Sequence, residues 1–377
     1  MKPIGKLLIF SAIPSIIVVT FVGLGYLLGR YTIKRQFNEL IKADSRAYYL
    51  GNLLQGDQKN TTARAYHDAD NFLEVVDDIS WAVPNILTPF VGGAPMPGWH
   101  GVAHINSMQF RATTDLEIPK PRGLFRIFLT GGSSAYGSGA PSNSQTIGGY
   151  LSAILREKLS PSTKLRYEVL TMANAAWAST HERIVIENRL SEMEPNMIIS
   201  FSGTNDVHWG EFGRDVLWFR TYFDTFILHL IKIAYEITGE PFTPAVVQIA
   251  PNPIPPSVVA KRILKNVELS SFVLSMVGVD YFFFLQPTLA VTRKNLTKRE
   301  MAFLGENRTY YQECYAQIDM ALRSFHAENF RYANLASIFD NVSDQDELFL
   351  DSNHFGDKGN EMLAQEIFRH ISGWLSE

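Results

Sequence analysis

Ser133 lies in IFLTGGSSAYGSGA, residues 127–140, where an apolar run stops at two glycines and a second serine follows. A serine hydroxyl is a weak nucleophile at neutral pH and needs a base within hydrogen-bonding reach. Histidine is the usual one, because its ordinary titration lies near neutrality. Late in the chain, LDSNHFGDKGN carries Asp351 and His354, three positions apart. An aspartate so placed can fix the imidazole tautomer and stabilise the imidazolium. Attack on a carbonyl creates an oxyanion, and each preorganised donor to it is worth ~3–4 kcal/mol. The Asn205 amide in SGTND and backbone N–H groups in LTMANAAW are donors of that kind. The set points to acyl transfer through a covalent acyl-enzyme, chemistry that requires no metal and no organic cofactor.

These residues matter only if the fold brings them together. From about Gly123 the chain alternates short apolar runs with helical patterns. Strands are expected at 124–130, 167–173, 197–202, 279–285 and 330–335, and helices near 144–158, 180–193, 213–236, 297–326 and 357–374. Short strands apolar on both faces, separated by helices, indicate a parallel sheet covered on each side. Ligands bind such sheets at the carboxyl ends of the strands. Ser133, Asn174 and Asn205 each follow an expected strand, and Asp351 and His354 precede the last helix.

Four blocks, in this order, resemble those of the SGNH (GDSL-type) hydrolase superfamily: GGSSAYG at 131–137, NAA at 174–176, GTND at 203–206 and DSNH at 351–354. The resemblance runs from about residue 104 to 375 and is similar to bacterial membrane-anchored or secreted members. It implies a flavodoxin-like three-layer α/β/α sandwich with a parallel five-stranded sheet. By the same match Ser133 is the nucleophile, His354 the base and Asp351 its orienting partner. The Ser133 and Ala176 backbone N–H groups and the Asn205 side chain form the oxyanion hole. Ser134 is then expected to serve the start of the following helix. Two departures stand out: Gly132 where the family has aspartate, and Ala176 where glycine is usual. The added methyl favours a small acyl group such as acetyl. The resemblance implies acyl or acetyl esters of carbohydrate or lipid as substrates, handled outside the cytoplasm. An O-acyltransferase uses the same triad, and a non-catalytic accessory subunit of a membrane complex is a further alternative.

The ends and insertions complete the plan. Residues 7–28 form 22 positions without a charge, long enough for the ~30 Å hydrocarbon core. Residues 1–30 are therefore read as a single-pass anchor, whose orientation the flanking charges leave open. Residues 31–121 read as a membrane-proximal stalk and a Gly- and Pro-rich lead-in, and 122–377 as the hydrolase domain. Within it, 209–280 is long for a crossover and reads as an inserted cap, as a docking segment with 209–236 as a face for a membrane-protein partner, or as a helix packed on the sheet with an irregular return. APNPIPPS at 250–257 reads as a rigid extended piece. Gln286 follows the fourth expected strand and His208 the third block. Each is either a substrate contact or an ordinary structural residue. The net charge of −4, from 34 basic and 38 acidic residues without a basic block, argues against a nucleic-acid partner. The single cysteine, Cys314, excludes an internal disulfide and is expected to be buried.

Overall fold

The computed structural model describes residues 17–35, 57–79, 83–213, 235, 253–343 and 345–375. The chain divides into two units, Met1–Gln55 and Gly56–Glu377. In the first, Ile17–Arg35 is a helix exposed along its length and apolar enough to cross a membrane. Its 19 residues span about 28 Å at 1.5 Å per residue. The helix continues five residues past the expected anchor boundary at residue 30, and the start of the expected span at 7–16 lies outside the described residues.

The second unit is built on one parallel sheet. Its strands are β1 (Leu124–Gly131), β2 (Arg166–Ala173), β3 (Met197–Ser202), β4 (Asp280–Leu285) and β5 (Phe330–Asn334), each within one residue of its expected bounds. They lie in the order β2-β1-β3-β4-β5, with Ile127 of β1 opposite Val169 on one side and Met197 on the other. This is the flavodoxin order, and its switch point falls between β1 and β3. Side chains alternate across the sheet, as a two-residue period requires. Phe128, Ile198, Phe283 and Leu285 enter one buried core, and Ile127, Leu129, Ile199 and Phe284 the other.

Helices close both faces. They are α1 (Ile147–Lys158), α2 (Ser179–Asn188), α3 (Thr204–Glu211), α4 (Pro256–Met276), α5 (Arg308–Ser324) and α6 (Asp357–Leu375). Leu151 and Leu155 of α1 join Leu363, Ile367 and Ile371 of α6 over one face. Val185 of α2, Ile263 and Val267 of α4 and Ile318 of α5 cover the other.

Three expectations are corrected. The region 209–280 is not a single insertion, because α4 is a structural layer of the sandwich. Its Pro256 stands in the first helical turn, where the missing N–H is one that would find no partner anyway. The last residues of the Pro-rich stretch thus open a helix, while Pro255 before them is extended, with ψ of 135°. The remainder of the proposed cap, 214–252, contains only one described residue, so the docking face at 209–236 lies mostly outside the described residues. The single helix expected at 297–326 is two, Lys298–Ala302 and α5, separated around Gly305. Finally, from Gly56 onward the expected stalk and lead-in belong to the same compact unit as the sheet. Helices Asp57–Ala63 and Ala69–Val75 and two small hairpins, Asn85–Thr88 with Gly92–Pro95 and Gly98–His100 with Ala103–Ile105, are its first elements.

Candidate active site

β1 ends at Gly131, and Ser133 opens a one-turn helix, Ser133–Tyr136, closed by Gly137 in the left-handed region. As the first residue of a helix, Ser133 has an N–H without an intrahelical acceptor. Gly132 must be glycine for a steric reason: a Cβ there would stand 2.3 Å from Asn205 Nδ2 and 3.1 Å from the Trp177 carbonyl. The position that carries aspartate in the family motif is here closed by the approach of the third block.

His354 reaches this turn from the other end of the domain. Its Nε2 lies 2.6 Å from Ser133 Oγ, and its Nδ1 lies 2.5 Å from Asp351 Oδ2. With a carboxylate on Nδ1, that nitrogen carries the proton and Nε2 is left to accept from the serine hydroxyl. Asp351 Oδ1 accepts from the N–H groups of Asn353 and His354 at 2.8 and 2.9 Å. Burial pushes this carboxyl up, but the neighbouring His354, its hydrogen bond and the two backbone donors outweigh that and hold it below its ordinary value. The anion that orients the imidazole is therefore kept ionised.

The residues expected as oxyanion donors follow the ends of β2 and β3. Ala176 follows β2 with φ of 65°, a left-handed conformation that costs a non-glycine residue ~1–2 kcal/mol. Asn205, in the first turn of α3, donates through Nδ2 to the Trp177 carbonyl at 2.7 Å, which leaves its second amide hydrogen for another acceptor. Asn174 turns away from the serine, donating to Asn85 Oδ1 at 2.9 Å and to the Gly93 carbonyl. Asp206 is a brace: its oxygens accept from Ser179 N–H at 2.9 Å and from Ser179 Oγ at 2.6 Å. Burial is the main reason that its carboxyl sits above the ordinary value.

Other expectations change. Ser134 makes no cap for its helix; its hydroxyl donates to the Asn353 carbonyl at 2.8 Å, joining the nucleophile turn to the histidine loop. Gln286 is buried beneath that turn, 3.4 Å from Ser134 Oγ, and its carbonyl accepts from Tyr315. His208 is half-buried on the same face of α3 as Asn205, one turn on. It stands 3.4 Å from Tyr311 Oη and edge-on to Trp209 and Phe212. Cys314 is buried, and that burial pushes its thiol up to about 12.

Two supporting groups were not anticipated. Glu300, completely buried, accepts through Oε1 from the N–H groups of Leu348 and Phe349 at 3.1 and 3.2 Å. Its Oε2 accepts from Lys294 Nζ at 2.8 Å and from Thr297 N–H at 3.0 Å. The adjacent Arg299 donates to the Leu350 carbonyl at 2.9 Å and to that of Phe349. The segment entering Asp351 is thus held on both its donors and its acceptors, and Leu350 N–H closes the loop onto the His354 carbonyl at 2.8 Å. The Thr-x-x-Glu pattern at 297–300 is a capping box, a signal present in the sequence. The second group is Arg111, whose Nη1 donates to the carbonyls of Tyr136 and Gly137 at 2.9 and 2.8 Å behind the nucleophile turn. No motif marks it.

No protein-family model matches the chain, and no curated protein matches it. Several solved structures are similar to it. The lipase Lip_vut3 from a goat rumen metagenome is 9% identical, with a TM-score of 0.39 over 65% of this chain and 96% of that one. The acetyl xylan esterase AlAXEase is 13% identical, with a TM-score of 0.39 over 66% of this chain and 100% of that one. A GDSL-like lipase from Parabacteroides merdae is 10% identical, with a TM-score of 0.41 over 66% of this chain and 95% of that one. Such distant likenesses decide nothing about the chemistry, which rests on the distances within this chain.

Proposed function

We propose that the chain is a membrane-anchored serine esterase that works through an acyl-enzyme. The observation that carries this reading is the continuous relay from Ser133 Oγ through the His354 ring to Asp351, with links of 2.6 and 2.5 Å, at the carboxyl end of a parallel sheet. Ser133 Oγ attacks the ester carbonyl as His354 Nε2 takes its proton. Asp351 stabilises the imidazolium. The Ser133 and Ala176 N–H groups and Asn205 Nδ2 receive the oxyanion. Collapse expels the alcohol, which takes the proton from His354, and a water deprotonated by the same nitrogen releases the acid.

In this reading the Ala176 methyl narrows the hole, so the preferred acyl group is acetyl or similarly small. The substrates in this reading are acylated carbohydrates or lipids. Ile17–Arg35 serves as the anchor, with the catalytic unit on the extracytoplasmic side, and His208 on the face of α3 that it shares with Asn205 contacts the alcohol portion.

The test is labelling of the full chain by a fluorophosphonate, followed by peptide mapping. Modification at Ser133, lost in Ser133→Ala and in His354→Ala while both remain folded, is expected. A well-folded chain that takes no label, or that keeps turning over a short acetate ester without Ser133, overturns the mechanism. Product analysis with and without a saccharide acceptor separates hydrolysis from acyl transfer.

A further inference from the structure

Between Asp78 and Arg111 the chain has no Asp, Glu, Lys or Arg for 32 residues. At the 19% charged content of the whole chain, about six would be expected there. This neutral stretch forms the two small hairpins. It also exposes large apolar side chains: Leu87 is 76% exposed, Phe90 at the first hairpin's turn 73%, and Trp99 on the second 68%. Single exposed apolar residues are ordinary, but here three stand within thirteen uncharged positions.

The base of the first hairpin is fastened to the site. Asn85 Oδ1 accepts from Asn174, and the Gly93 carbonyl accepts from Trp177 Nε1 at 3.2 Å. These partners flank Ala176, whose N–H belongs to the proposed oxyanion hole. Phe90 lies five residues beyond Asn85, on the order of 10–15 Å at ~3.3 Å per residue.

We propose that the Leu87–Phe90 turn and Trp99 dock this unit onto the surface of a neutral lipid bilayer. The inference rests on the reading of Ile17–Arg35 as a membrane anchor. Only residues 36–55 separate that helix from the unit, a link that reaches at most ~70 Å. The unit is therefore kept at high effective concentration beside a bilayer, so weak apolar contacts suffice. Phenylalanine and tryptophan are suited to the headgroup boundary. The chemistry selects a neutral surface. Asp68, Asp70, Glu74, Asp77 and Asp78 directly precede the stretch, and the Asp78 carbonyl accepts from Val102 N–H beside the second hairpin. Anionic lipids should therefore add nothing to the docking.

The test uses the full chain reconstituted into phosphatidylcholine vesicles. Cys314, the chain's one cysteine, is buried, so Phe90→Cys provides the accessible thiol for an environment-sensitive fluorophore. Met320→Cys on α5, also 71% exposed in the parent, is the control. Docking predicts a blue-shifted label at position 90, quenched several-fold by brominated lipid, and an unshifted label at 320. Vesicle-bound protein with no shift at either position overturns docking while the anchor stands. Protein that fails to float with the vesicles overturns the anchor reading, and docking with it. A shift at 90 that persists without lipid and tracks protein concentration indicates a second copy of the chain and also overturns the proposal. Leu87→Ser with Phe90→Ser should leave turnover of a water-soluble ester unchanged and lower turnover of a bilayer-embedded ester about tenfold. If neither protein turns over either ester, the esterase reading fails and the fluorescence result still stands.

Discussion

Glu182 offers a quantitative check on the buried polar layer under the site. It projects from α2 toward β3, is 2% exposed, and neither carboxylate oxygen has a hydrogen-bond partner of good geometry among the described residues. Burial raises its carboxyl from 4.5 to about 7, with Asp206 adding to the rise and the hydroxyls of Ser202 and Ser200 opposing it. Burial raises Asp206 as well, while its two bonds from Ser179 and the charge of Arg262 favour its ionised form. A group whose folded value is raised stabilises the fold fully below its unfolded value and loses that contribution as pH rises through the folded one. The window here runs from 4.5 to about 7, and the full loss is about 3 kcal/mol. Glu182→Gln keeps the shape and cannot ionise. Thermal unfolding should show parent and variant within about 1 kcal/mol at pH 4.5. At pH 8 the variant should melt about 5 °C higher, taking ~2 °C per kcal/mol for a unit of this size. Parallel melting curves across that range would refute the assignment of a neutral buried acid.

Four further outcomes follow from the site. Asp351→Asn should lower kcat by about 10³–10⁴-fold, because the imidazole loses the partner that fixes its tautomer. The parent's stability from Asp351 is present above ~3.9 and lost as pH falls through its lower folded value, so acid titration of the variant should lack that loss. Ser134→Ala should keep fluorophosphonate labelling at Ser133 and cost ~1–2 kcal/mol for the Asn353 carbonyl left without its donor; loss of all labelling would point to the wrong serine. Glu300→Gln should destabilise by ~3–5 kcal/mol through the stranded Lys294 ammonium and lower kcat more than it changes KM, with a double-mutant cycle including Lys294→Met showing strong coupling. Ala176→Gly relieves a left-handed alanine while adding unfolded-state freedom, so stability should stay within about 1 kcal/mol. The ratio of butyrate to acetate turnover should rise about tenfold, and an unchanged ratio would show that the methyl does not limit the acyl group.

The strands and the chemistry were legible in the sequence for different reasons. Strands such as 197–202 are apolar on both faces and end in glycine or turn residues, a pattern that few alternatives share. The meeting of Ser133, His354 and Asp351 was legible because each fell at a strand end or before a helix. What escaped was whatever depends on partners remote in sequence. Pro256 read as part of an extended piece, although Val259, Ile263, Val267 and Leu274 carry the helical spacing that α4 buries. Gln286 sits at a strand end like a ligand, yet Tyr315 and Ser134 enclose it. The uncharged hairpin stretch read as a lead-in because its tie to the site is made by Asn174 and Trp177, about ninety positions away.

In the proposed reading the four motif blocks supply the reactive atoms, but groups beside them or outside them set the distances. Ser134 joins the first block to the last through the Asn353 carbonyl. The Trp177 carbonyl joins the second to the third through Asn205, and Ser179 ties α2 to Asp206. Glu300 and Arg299 hold the approach to Asp351. A displacement of one block is therefore transmitted to its neighbours through short, buried hydrogen bonds, for which little slack exists in a close-packed interior. The 2.6 Å approach of Ser133 and His354, across more than two hundred positions, is a property of that bracing as much as of the two side chains. The glycine at 132 follows from the same argument: the close approach of Asn205 Nδ2 and the Trp177 carbonyl leaves little room for a Cβ.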